Sequence, residues 1–145
     1  MKEKILETLV DMGFKLEELS EWGYSFKYEG DQFFYLTDTD ENFLCISIPG
    51  FYELKDGDVA TFCFLSEKIN STLKYVKAYS MADSMWLMYE RELIGDDDLE
   101  KIILRMILHL SRGLDFARKT IAEIETHQSD SSDNDNTESN EDSDE

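Results

Sequence analysis

Proline occurs once in this chain, at Pro49, and cysteine and histidine occur twice each. The cysteines, Cys45 and Cys63, stand alone in different segments with no C-x-x-C pair and no histidine at ligand spacing, so neither a disulfide framework nor a zinc site is expected. Both read as buried thiols. Of the histidines, His109 falls beside the apolar stripe of the last helical pattern and His127 lies at its ragged end. No serine sits in a G-x-S-x-G turn, and no glycine-rich loop follows a strand pattern to cradle phosphates. Long apolar runs are missing as well. The most apolar window, IILRMILHL at 102–110, is interrupted by Arg105 and His109 and falls far short of the ~20 residues of a membrane span. The opening MKEKILETLV sets charges among apolar residues at helical spacing, unlike the apolar block of a signal peptide. The expectation is a cytoplasmic protein with no cofactor, no metal, no membrane partner and no catalytic activity.

Positive charge is scarce, with 14 basic against 33 acidic residues and a formal net charge of −19. From Gln128 onward QSDSSDNDNTESNEDSDE holds 8 acidic residues and no basic one, so upstream 25 acidic residues against 14 basic leave an excess of 11 negative charges. A surface of this sign repels phosphate backbones, and no nucleic acid is expected as a partner. After His127 there is no aliphatic or aromatic residue to offset the entropy of ordering. The chain therefore reads as one α+β domain over residues 1–126, followed by a disordered acidic tail over 127–145.

What is present is periodicity. Residues 3–12 form a first helix with Ile5, Leu6, Leu9 and Val10 inward and Gly13 as its stop. YSFKY (24–28), QFFYLT (32–37) and FLCISI (43–48) read as strands separated by EGD and DTDEN turns. A second helix opens near Asp56–Asp58 and presents Val59, Phe62, Cys63, Ser66, Ile69, Asn70 and Leu73 as one stripe. KYVKAY and SMWLMYE form a hairpin about the MADS turn, with Tyr75, Lys77 and Tyr79 on one side and Val76 and Ala78 on the other. The last helix starts at the three aspartates 96–98, which suit a helix N-terminus without invoking a metal. Its stripe is Leu99, Ile102, Ile103, Met106, Leu110, Leu114, Ala117, Ile121 and Ile124, and Gly113 inside it marks a bend or a close contact. KLEELSEWG has no clear assignment. The order is helix, three strands, helix, two strands, helix, with an antiparallel sheet packed by helices.

In that order, FKYEGDQFFYL with aromatic pairs across a glycine turn, ENFLCISIPGFYEL leading into a helix, and EKINSTLKYVKAY running from helix to strand resemble the YbjN-like and type III secretion chaperone-like domains. The resemblance covers residues 1 to about 126. It implies a small acidic dimer that binds a segment of another protein, or a related module; the long acidic tail departs from the common fold.

Interaction surfaces are the expected functional feature. Phe64 is displaced from the stripe of the second helix, and Leu104 and Leu108 lie one turn apart on the side of the last helix opposite its main stripe. Alternation in the strands makes both faces of the sheet apolar, so helices on one face would leave Trp86 and Met88 to a partner. Phe64, Trp86, Met88, Leu104 and Leu108 are thus the candidate partner-binding residues, for a protein partner or for self-association into a homodimer. Two other classes remain open, a metal-dependent enzyme built on carboxylates such as Asp38 and Asp40, and an acidic mimic of nucleic acid. Against the first, DTDEN lacks a calcium loop's glycine and glutamate, having Phe43 and Pro49 in those places.

Overall fold

Strict alternation sends successive side chains of a strand to opposite faces, and the cross-strand pairs place each face in register. In the computed structural model, which describes residues 1–37, 40–55 and 58–142, the last of these as backbone alone from 129, the elements are α1 (Lys2–Asp11), β1 (Glu17–Glu18), β2 (Gly23–Tyr28), β3 (Asp31–Leu36), β4 (Phe43–Glu53), α2 (Val59–Thr72), β5 (Lys77–Met81), β6 (Ser84–Glu92) and α3 (Leu99–Asp142). The expected order of elements is the order found, and two residues of the unassigned KLEELSEWG add the short edge strand β1. The strands form a six-stranded antiparallel sheet in the order β1-β2-β3-β4-β6-β5.

One face of this sheet carries Phe26, Phe33, Tyr35, Leu44, Ile46, Ile48, Ala78, Met85, Leu87 and Tyr89, all buried under the helices. Phe26 and Phe33 stack across the β2–β3 hairpin with ring centroids 5.6 Å apart, over a turn whose Glu29 and Gly30 both take positive φ. That is the primed turn that matches the twist of a two-residue hairpin. The β5–β6 hairpin uses the same geometry at Ala82 and Asp83, residues that adopt it less readily. β4 runs past the expected FLCISI to Glu53, with a register shift between Ile48 and Tyr52 that accommodates Pro49.

The helix ends follow the capping expectations. The amide of Phe14 donates to the Leu9 carbonyl and that of Gly13 to Val10, the paired bonds that close a helix through a left-handed glycine. Asp58 caps α2 by accepting from the Thr61 amide, and hydrogen bonding from the Thr61 side chain first and its amide second lowers its pKa, while Asp56 lies outside the described residues. At α3 the aspartates divide the work. Asp98 accepts from the Lys101 amide, and Asp97 folds back to accept from the amides of Ile94 and Gly95 while pairing with Arg91 at 3.6 Å.

Helix faces depart from expectation in places. On α2 the buried residues are Leu65 and Ile69, with Phe62 and Leu73 beside them, whereas Val59 and Cys63 are exposed. The face is rotated because α2 packs against both α3 and β5, and Leu65 is fully buried. Of the two thiols, Cys45 is buried and Cys63 is not. On α1, Ile5 and Leu9 turn inward and Val10 is exposed. The α3 stripe is the expected one with Ile107 added, and Gly113 is a close contact: a Cβ there would sit 3.3 Å from Leu73 and Val76. Ile124 is the last α3 residue packed on the core, yet the helical backbone continues to Asp142 through the segment whose composition reads as a tail. Extending an existing helix needs no second nucleation.

Among the described residues no helix is long and apolar enough to cross a membrane.

Candidate functional site

The three helices lie on one face of the sheet, so the other face meets solvent wherever the chain does not fold back over it. The register assigns to that face Ser25, Phe34, Leu36, Cys45, Ser47, Lys77, Tyr79, Met81, Trp86, Met88 and Glu90. At its centre Ser47 is fully buried, its hydroxyl donating to the Leu87 carbonyl at 2.7 Å, and Cys45 is buried beside Glu90. Above these small residues the large ones close into a pavement. The Phe34 and Trp86 rings meet edge to face at 5.6 Å, and Trp86 meets Tyr79 at 6.2 Å, giving an aromatic row from β3 to β5. Trp86 is held in place by its indole N–H, which donates to the Ser84 hydroxyl at 3.0 Å.

The β1–β2 loop forms a wall on this pavement. Gly23 makes that possible: at φ +145, it brings the chain so close to β3 that a Cβ would collide with the Tyr35 carbonyl. Leu19, Ser20 and Trp22 thereby stand at the margin, with Trp22 54% exposed. Together with Phe34 and Leu36 of β3, Tyr79 and Met81 of β5, and Trp86 and Met88 of β6 they enclose an open groove of about 710 Å³, almost wholly apolar. A contiguous apolar surface of this kind on a highly charged protein is the sort of feature that marks an interaction site.

Trp86 and Met88 thus come together as part of one surface. The other three candidates lie elsewhere. Phe64, 55% exposed, borders a second depression between α2 and α3 with Thr120, Ile124 and His127, where Gln128 donates to the Thr61 hydroxyl at 3.1 Å. Leu104 is 43% exposed and Leu108 half-buried on the N-terminal half of α3. Sequence reasoning missed Leu19 and Trp22, because a loop with no periodicity carries no signal for the face it will cover. Phe34, Leu36, Tyr79 and Met81 were open to the alternation rule, but joining them required the strand order.

One expected side assignment is reversed. Tyr75 is not in line with Lys77 and Tyr79. It sits at φ +69 in a tight turn in which the Val76 amide donates to the Lys74 carbonyl, and β5 starts only at Lys77. Its ring stacks on Tyr89 at 5.5 Å, on the helix side of the sheet, and His109 meets both rings at 5.4 and 6.0 Å. Burial, with Tyr75 beside it, raises the Tyr89 phenol pKa.

Among the described residues, histidine, cysteine, aspartate and glutamate side chains form no group of three or more that could hold a metal. Asp38 of the carboxylate pair lies outside the described residues; Asp40 accepts from the Asn42 amide as a turn residue does.

No family model matches the chain, and no curated protein does. Among solved structures it is similar to the crystal structure of YbjN from E. coli, described there as a candidate transcription regulator, at 17% identity and a TM-score of 0.62. The match covers 87% of this chain and 92% of that one. The chain therefore has the YbjN fold, an α+β sheet with its helices gathered on one face.

Proposed function

We propose that this protein is a non-catalytic protein-binding module that docks a partner on the uncovered face of its sheet. The observation that carries the reading is the aromatic and methionine-lined groove over Phe34, Trp86, Tyr79 and Met88, held open by a loop that stands beside it. A partner's apolar side chains would fill it, with the surrounding carboxylates as a polar rim. Chaperone-like holding of a client segment and homodimerisation are the two finer forms of the reading, and the fold similarity to YbjN is compatible with either. Phe64, Leu104 and Leu108 are secondary surfaces under the same proposal.

The test compares the full-length chain with a Met88→Lys chain, Met88 being half-buried at the groove and so changeable without opening the core. Solution mass by light scattering and capture of proteins on the immobilised chain are measured for both, with circular dichroism showing that each is folded. A dimer that the variant splits, or captured proteins that the variant loses, supports docking on this face. Identical mass and identical capture would refute it. The double change Leu104→Ser and Leu108→Ser, read in the same way, reports on α3.

A further inference from the structure

The chemistry around the groove narrows its occupant, given the docking reading just proposed. Width comes first. The floor runs from Phe34 on β3 to Tyr79 on β5, three strand spacings, about 14 Å at the usual ~4.8 Å each. An α-helix with its side chains, roughly 10–12 Å across, fits that span.

The sheet edge points the same way. An extended segment adding beside β5 needs that strand's outward N–H and C=O groups, and at Ala78 both are already taken. The Asn70 side chain accepts from the Ala78 amide at 2.6 Å and donates to its carbonyl at 3.1 Å. Ala78 is the second residue of β5, so strand addition is obstructed at the start of this edge, which favours docking through side chains on the face.

Charge then selects the partner. Glu17 shares the open face with Ser25, Glu21 sits between Ser20 and Trp22 in the sequence, and Glu90 and Glu92 continue the row of Trp86 and Met88. All four carboxylates are exposed, and the basic residues on this face are Lys27 and Lys77. On a chain with net charge −19 a second copy would bring more of the same sign to the rim.

We propose that the groove takes a basic amphipathic α-helical segment of another protein. Its apolar stripe lies on the Phe34–Trp86–Tyr79 pavement, and its lysines or arginines face Glu17, Glu21, Glu90 and Glu92.

Both tryptophans of the chain, Trp22 and Trp86, line the groove and report on its occupancy. The probe is a designed helical peptide of about five turns, with leucine at i, i+3, i+4 and i+7 and lysine at the other positions. A twin carries glutamate for every lysine. Each is titrated into the full-length protein while tryptophan emission is followed. The lysine peptide is expected to saturate at one per chain and to bind at least about tenfold more tightly than its twin, a difference of ~1.4 kcal/mol. The pair Glu21→Lys and Glu90→Lys should remove most of that preference, and Met88→Lys should weaken the lysine peptide about tenfold while leaving the fold intact by circular dichroism. Equal affinity for the twin peptides would overturn the inference, as would lysine-peptide binding untouched by Met88→Lys, which would mark simple attraction to a polyanion. A dimer split by Met88→Lys would put a second copy in the groove, sinking the basic helix and leaving the docking reading in place. No binding by either peptide, with no effect of Met88→Lys on mass or capture, would sink both.

Discussion

The side-chain amide of Asn70 does for the edge of β5 what a neighbouring strand would do, presenting one acceptor and one donor to the outward groups of Ala78. Removing it leaves a backbone N–H and C=O of a buried residue without those bonds. Asn70→Ala is expected to lower stability by about 1–3 kcal/mol, read as a lower urea midpoint at unchanged slope, and to increase self-association through the opened edge. Tyr35 makes a second prediction, in pH. It is buried on the helix side beside Tyr24 and Cys45, and burial first, then those two neighbours, pushes its phenol pKa up to about 12. The folded protein holds this proton more tightly than the unfolded chain, whose tyrosine titrates at its ordinary value of 10.0. Its contribution to stability is therefore complete below about pH 10 and is lost as pH rises towards 12. Alkaline denaturation of Tyr35→Phe should be shallower across that window, and curves parallel to the unchanged protein would contradict the assignment.

At the scale of elements, α2 shows where periodicity alone falls short. The expected stripe of Val59, Phe62, Cys63, Ser66, Ile69, Asn70 and Leu73 and a stripe through Phe62, Leu65, Ile69 and Leu73 share three residues and differ by a modest rotation, and both satisfy three- and four-residue spacing. The structure selects the second, because the helix must fit against α3 and β5 together, with Asn70 at the strand edge. Leu65→Ala should cost about 2–5 kcal/mol, as for a fully buried leucine, while Cys63→Ala should stay within about 0.5 kcal/mol. Thermal melts of the two variants decide it, and equal losses would put the helix back in the expected orientation. The strands were more legible. Alternation placed YSFKY, QFFYLT and FLCISI within a residue or two of β2, β3 and the start of β4, because a period of two leaves a single alternative face. Tyr75 escaped that rule because a tight turn reversed its side before the strand began.

For the molecule as a whole, the apolar stripe of α3 ties the fold together and ends at Ile124, with Arg118 reaching Asp31 at 2.9 Å in the β2–β3 turn. Beyond that point Gln128 still reaches α2, donating to the Thr61 hydroxyl at 3.1 Å. Truncation after Gln128 is accordingly expected to leave the melting temperature unchanged, whereas truncation after Thr120 removes Ile121 and Ile124 from the core margin and lowers it by several degrees. Equal melting of the two truncated chains would show that Ile121 and Ile124 do not contribute to stability.

The amino-acid sequence by itself determined the kinds and order of the elements, the faces of the strands, the inward stripe of α3 and the caps, because each depends on residues a few positions apart. The predominance of negative charge was likewise fully present in the composition. Only the tertiary structure decided that all three helices share one face of the sheet, that α2 turns Leu65 and not Cys63 inward, and that the β1–β2 loop stands beside Trp86 and Met88 to make a groove. Those outcomes depend on strand order and on packing between segments tens of residues apart, and local periodicity carries no term for either.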